Sequence, residues 1–267
     1  MVRAGALALA LLVGLAAAGC GDDGGDAGGS GTPTIVALGD SIPLNEAATC
    51  PGCDGFVDTY AEEVGARVDN LAVHGRRVLG VAEQLESGEA ADELRDADLV
   101  IVSFGANDYP PYRGTRQPCR IDETPTFEAA VAAVAATTRR CVDRVVRATL
   151  RTATVALADV VAQAPDARLV VLAPYDFWRG WPELRVAPED QVAAAEGTVA
   201  YAVRQWRDRL CELVEDLDGT CVDLYTAFNG PDGERPAGDL LSTDHIHPSQ
   251  AGNDLIRDLL IDADLLG

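Results

Sequence analysis

The chain has no lysine. All 21 of its basic residues are arginine, set against 43 aspartates and glutamates, for a net charge of −22. A surface of that sign repels phosphate backbones and anionic headgroups, which excludes nucleic acid and acidic lipid surfaces as partners. No apolar run reaches the ~20 residues that a membrane-spanning helix needs. The longest, AGALALALLVGLAAAG at 4–19, follows Arg3 and has the length of a secretory signal's hydrophobic region. No second C-x-x-C accompanies Cys50-Pro51-Gly52-Cys53, so that motif lacks the other half of a zinc site. There is no internal repeat, which argues against a solenoid. Histidine occurs only as His74, His245 and His247, so imidazole chemistry must use one of these three.

What is present is 267 residues, 48% hydrophobic, enough for one domain with a sizeable core and a small appendage. The apolar N-terminal run ends in AAGC, which resembles the lipobox of bacterial lipoproteins, with Cys20 the lipidated residue. The expected organisation is a signal peptide at 1–19, a lipobox cysteine and Gly/Asp tether at 20–33, and one domain at 34–267. The expected product is exported and held at the cell surface by a lipid anchor, or secreted if Cys20 is unmodified. Export to an oxidising compartment makes disulfides of the other six cysteines. Fifteen pairings are possible, and local loop closure favours Cys50–Cys53, Cys119–Cys141 and Cys211–Cys221.

Beyond residue 34, short apolar runs alternate with longer helical patterns. Strands are predicted at 35–38, 67–71, 99–104, 168–173 and 220–224, and helical stretches at 55–65, 78–95, 127–163, 188–216 and 249–262. The third and fourth strands are nearly continuous apolar runs, as in a parallel sheet covered on both faces. Five βα units predict an α/β fold, a three-layer α/β/α sandwich, with ligands at the carboxyl ends of the strands.

Unusual polar residues do collect there. Gly39-Asp40-Ser41 follows the first strand, His74-Gly75 the second, Gly105-Ala106-Asn107-Asp108 the third, and STDHIHPSQAG (242–252) precedes the last helix. A serine hydroxyl needs a base to become a nucleophile, and the base needs a carboxylate to fix its tautomer. Asp244 lies three residues before His247, a spacing at which a tight turn brings the carboxylate to one ring nitrogen while the other faces outward. Pro248 is expected in the first turn of the following helix. Oxyanion donors are available from the N–H groups of Ser41 and Gly75 and the amide of Asn107. Taken singly, Ser41, Asn107 and Asp108 could be helix caps, Gly75 a turn glycine, and Asp244–His247 a surface pair. Their order along one sheet edge is what points to catalysis.

The blocks GDSIP, NLAVHG, GAND and DHIHP resemble those of the SGNH, or GDSL-type, esterases and lipases, over residues 35–252. The resemblance implies a flavodoxin-like five-stranded parallel sheet and an acyl-enzyme mechanism without metal or cofactor. It makes Ser41 the nucleophile, His247 the base, Asp244 its orienting acid, and Gly75 and Asn107 the rest of the oxyanion hole. His74 stands where a small residue is common, and His245 stands between acid and base. Tyr109, Trp178, Trp181 and His74 are expected to shape the substrate pocket of a monomeric enzyme. The substrate is an ester of small-molecule or lipid type, with removal of O-acetyl groups from polysaccharide as the alternative. Two further readings are a non-catalytic surface-binding module and a metal-dependent hydrolase built on Asp40, Asp244, His245 and His247.

Overall fold

In the computed structural model, residues 31–108 and 126–266 are described. Five strands, β1 (Thr34–Gly39), β2 (Arg67–Asn70), β3 (Leu99–Ser103), β4 (Arg168–Ala173) and β5 (Thr220–Asp223), form one sheet in the order β2-β1-β3-β4-β5. All four pairings are parallel. The central strands are rich in β-branched residues and are buried apart from Arg168 at the start of β4, whereas β2 and β5 at the edges carry polar residues and are only partly covered.

Strand alternation divides the core. Val36, Leu38, Val100, Val102 and Val171 point to one face, where they pack with α3 (Val78–Ser87), α4 (Ala91–Arg95), α6 (Arg139–Gln163) and α7 (Glu189–Glu215). Ile35, Ala37, Leu99, Ile101 and Leu172 point to the other, against α2 (Phe56–Val64), α8 (Leu224–Asn229) and α9 (Gln250–Asp262). This is the three-layer sandwich the sequence predicts.

Two of the predicted helical stretches are broken. The 78–95 stretch ends a first helix at Gly88 and starts again at Ala91. The 127–163 stretch divides into α5 (Phe127–Ala135) and α6, because Thr138 leaves the helix to accept the Cys141 N–H on its hydroxyl. Pro248 is also displaced from its expected place. Ser249 caps α9 and Pro248 sits outside the helix, in an isolated bridge with Leu241.

Cys50–Cys53 and Cys211–Cys221 are bonded, the second tying α7 to β5. Cys141 is also disulfide-bonded. Cys119, Tyr109, Cys20 and the proposed signal peptide lie outside the described residues.

Candidate active site

Ser41 owes its position to the glycine two residues before it. Gly39 has φ +128, and a Cβ there would collide with the Ser103 carbonyl of the neighbouring strand. Glycine lets β1 turn sharply at that point, and the Asp40 N–H donates to the Ser103 carbonyl at 3.1 Å. Asp40 then caps the short helix α1 (Ser41–Leu44) by accepting the Ile42 N–H at 3.0 Å. Burial pushes the Asp40 carboxyl up to about 7, against the pull of the Ile42 N–H and the Ser103 hydroxyl.

The loop before α9 brings His247 to the serine. His247 Nε2 lies 2.8 Å from Ser41 Oγ, and its Nδ1 lies 2.6 Å from Asp244 Oδ2. The other Asp244 oxygen, Oδ1, accepts the N–H groups of Ile246 (2.9 Å) and His247 (3.0 Å). The Ser242 hydroxyl is 2.8 Å from that same oxygen and 2.7 Å from the Thr49 carbonyl, with one proton to share between them. Burial alone would raise the Asp244 pKa. Hydrogen bonds from the His247 backbone and ring, the Ile246 N–H and the Ser242 hydroxyl outweigh it and hold the carboxyl below its ordinary value. Asp244 is thus an anion facing an imidazole whose free nitrogen faces a hydroxyl.

The expected oxyanion donors meet this pair unequally. Among the described residues no backbone acceptor takes the Ser41 or Gly75 N–H. Gly75 has φ +69, and a Cβ there would meet nothing within 4 Å. Glycine is therefore required at 75 by backbone conformation rather than by crowding. The Asn107 amide donates one N–H to the Arg76 carbonyl at 3.1 Å, which leaves its second N–H for a ligand. Asp108 does act as a cap, but for α3 rather than for the segment after it, by accepting the Val78 N–H at 3.2 Å. Burial raises its carboxyl to about 6, opposed chiefly by that bond.

The two histidines without an assigned role separate. His74 lies at the rim, its Nδ1 2.9 Å from Glu46 Oε2 and its ring centroid 6.0 Å from that of His247. His245 has φ +57 and lines a different cavity. Among the described residues no three His, Cys, Asp or Glu side chains are grouped to hold a metal ion. Asp40, Asp244, His245 and His247 therefore do not form the ligand set that a metal-dependent reading needs.

A cavity of about 290 Å³ opens beside Ser41, His247 and Asn107. Its lining is apolar, with Ile42, Leu224 and Ile246, and aromatic, with Phe127, Phe177, Trp178 and Trp181. Both tryptophans expected at the pocket, Trp178 and Trp181, are in its lining. Two residues of the site escape a reading of the sequence. Ser242 is two positions from the acid, a spacing that hints at a local side-chain bond. Tyr175, whose hydroxyl donates to the Ile246 carbonyl at 2.7 Å and so steadies the histidine loop, leaves no such hint.

Comparison with known proteins gives concordant results. The profile of the GDSL-like Lipase/Acylhydrolase family matches residues 37–255. No curated protein matches the chain. Among solved structures, the lipase Lip_vut3 from a goat rumen metagenome aligns at TM-score 0.60 and 16% identity, covering 88% of this chain and 98% of the other. Phospholipase A1 from Streptomyces albidoflavus aligns at 0.57 and 18%, covering 87% and 99%. The extracellular lipase from Streptomyces rimosus aligns at 0.56 and 16%, covering 87% and 100%. At such identities these structures establish the fold they share with this chain.

Proposed function

The chain belongs to the GDSL-like lipase/acylhydrolase family, and on that premise we propose that it is a serine esterase in which Ser41, His247 and Asp244 cleave acyl esters through an acyl-enzyme. One observation carries the reading: the unbroken series of hydrogen bonds from Ser41 Oγ through both ring nitrogens of His247 to Asp244. In the reaction, Ser41 Oγ attacks the ester carbonyl while His247 Nε2 takes its proton. Asp244 keeps Nδ1 protonated and stabilises the imidazolium. The carbonyl oxygen becomes an oxyanion that accepts from the Ser41 N–H, the Gly75 N–H and the free N–H of Asn107. The C–O bond to the alcohol then breaks, and the leaving oxygen takes the proton from His247. A water molecule repeats the sequence on the acyl-serine and releases the acid.

The apolar lining of the cavity supports an acyl ester or lipid rather than an acetylated glycan as substrate. We also propose that the protein is exported and anchored through Cys20. The apolar run before AAGC and the disulfides of the folded domain support that location.

The test is Ser41→Ala. The variant should keep its melting temperature, lose ester hydrolysis and escape labelling by a serine-reactive phosphonate that labels the wild type. Labelling retained in the variant would place the nucleophile elsewhere.

A further inference from the structure

The aromatic cavity does not end at the molecular surface. Beyond Phe177 and Trp181 lies a second cavity of about 560 Å³, and these two side chains line both spaces. The second space has a different character, with Arg179, Asp239, Thr243 and His245 in its walls beside the Cys50–Cys53 disulfide. Trp181 is braced by other rings. Its ring meets Phe127, Phe177 and Trp178 edge-on, at centroid distances of 5.2, 5.7 and 5.8 Å. Three aromatic neighbours in that geometry hold the indole in one orientation. Its N–H is buried and has no acceptor among the described residues.

We propose that Trp181, backed by Phe177, is the partition that fixes the acyl length this esterase accepts. The inference rests on the serine-esterase reading above and adds the substrate class, esters of medium-chain acids. With the carbonyl at Ser41, the apolar arm of the substrate runs between Leu224 and Trp178 toward Trp181 and stops there. At about 290 Å³ the cavity lies at the small end of ligand pockets, with room for a medium acyl chain and not for a long one. Acyl chains of about eight to ten carbons fill such a space, and each methylene short of that lowers kcat/KM about fourfold. A longer chain must push the indole out of its three aromatic contacts. Replacing Trp181 by alanine removes the wall and joins the apolar cavity to the space behind it.

The experiment is hydrolysis of p-nitrophenyl esters of 4, 8, 12 and 16 carbons (about a fourfold range of chain length) by wild type, Trp181→Ala, Phe177→Leu and Ser41→Ala, with melting temperatures. Wild-type kcat/KM should peak near eight to ten carbons and fall at least tenfold by sixteen. Trp181→Ala should raise the ratio of sixteen- to four-carbon turnover at least tenfold, and Phe177→Leu should raise it by less. A folded Trp181→Ala with the wild-type ratio overturns the partition. A wild type that turns over sixteen carbons as fast as eight overturns it without any variant, so failure of the alanine variant to fold leaves the test intact. Absence of Ser41-dependent hydrolysis at every length overturns the esterase reading itself, a result distinct from an unmoved chain-length preference.

Discussion

Asp244→Asn separates an orienting acid from a surface partner, because the two oxygens of Asp244 are used differently. Oδ1 accepts two backbone N–H groups, from Ile246 and His247. In the asparagine the carbonyl oxygen must keep that place, since an NH₂ group aimed at two N–H donors would leave all of them unpaired. The amide nitrogen is then forced into the position of Oδ2, 2.6 Å from His247 Nδ1. It can only donate there, so the imidazole must carry its proton on Nε2, the nitrogen that faces Ser41. That tautomer cannot accept the serine proton. The expected fall in kcat is about ten-thousandfold, or ~5.5 kcal/mol of transition-state stabilisation. KM should move little, because the backbone bonds that shape the loop are kept. Steady-state kinetics on a p-nitrophenyl ester measure both quantities, and circular dichroism checks the fold. A folded variant with less than a tenfold loss of kcat would refute the tautomer argument and return Asp244–His247 to an ordinary ion pair.

Three other perturbations follow from the same geometry. Asn107→Ala should lower kcat about a hundred- to a thousandfold with little change in KM if its free N–H serves the oxyanion; near-normal turnover with a lowered melting temperature would leave it only its bond to the Arg76 carbonyl. Ser242→Ala removes one of the three donors on Asp244 Oδ1 and should cost about five- to tenfold in kcat, with Ser242→Thr restoring it; an equal loss in the threonine variant would sink the positioning role. Asp176 is fully buried, one of its oxygens has no hydrogen-bond partner among the described residues, and burial raises its carboxyl from 3.8 to about 7. A raised folded pKa means that the Asp176 contribution to stability is full below pH 4 and is lost as pH rises toward 7, because the unfolded chain ionises first. At about 1.4 kcal/mol for each tenfold change in proton concentration, the loss comes to roughly 4 kcal/mol. Asp176→Asn should flatten that part of a urea-melt pH series, and an unchanged slope would contradict the assignment.

The architecture was legible because each central strand is a continuous apolar run and each edge strand is not. The pairing of Asp244 with His247 was legible because three residues of separation let one turn bring them together. The helix breaks were harder to read. Alanine and valine run through 127–163 with helical periodicity, and only the Thr138 cap, a single hydroxyl, interrupts it. Pro248 illustrates a competing preference, since proline suits a first helical turn but Ser249 makes the better cap and takes it. Trp181 was legible as a pocket residue but not as a partition, and the bond from Tyr175 to the Ile246 carbonyl was illegible, because an aromatic residue after a strand reads equally as core.

What no periodicity could reveal is how two loops some 200 residues apart are held in register. Ser41 and His247 both lie outside the sheet, so their 2.8 Å contact must be fixed by something other than strand pairing. The structure supplies bonds between residues 193 to 197 positions apart: Asp54 N–H to Gln250 Oε1 at 2.9 Å, Phe56 N–H to Asn253 Oδ1 at 3.2 Å, and Ser242 Oγ to the Thr49 carbonyl at 2.7 Å. The middle one is the most informative. Helix α2 starts after Gly55, which has no side chain to cap it, and its first N–H would be an orphan in the core. Asn253, wholly buried in α9, fills that place with its oxygen and donates its amide to the Ser249 carbonyl at 3.0 Å. One side chain thus caps a helix on the serine side and anchors the turn on the histidine side. Leaving the buried Phe56 N–H unsatisfied would cost about 1–3 kcal/mol, and a shift of either loop by 1 Å would cost the serine its base. The same bond that completes α2 therefore sets the distance on which the proposed chemistry depends.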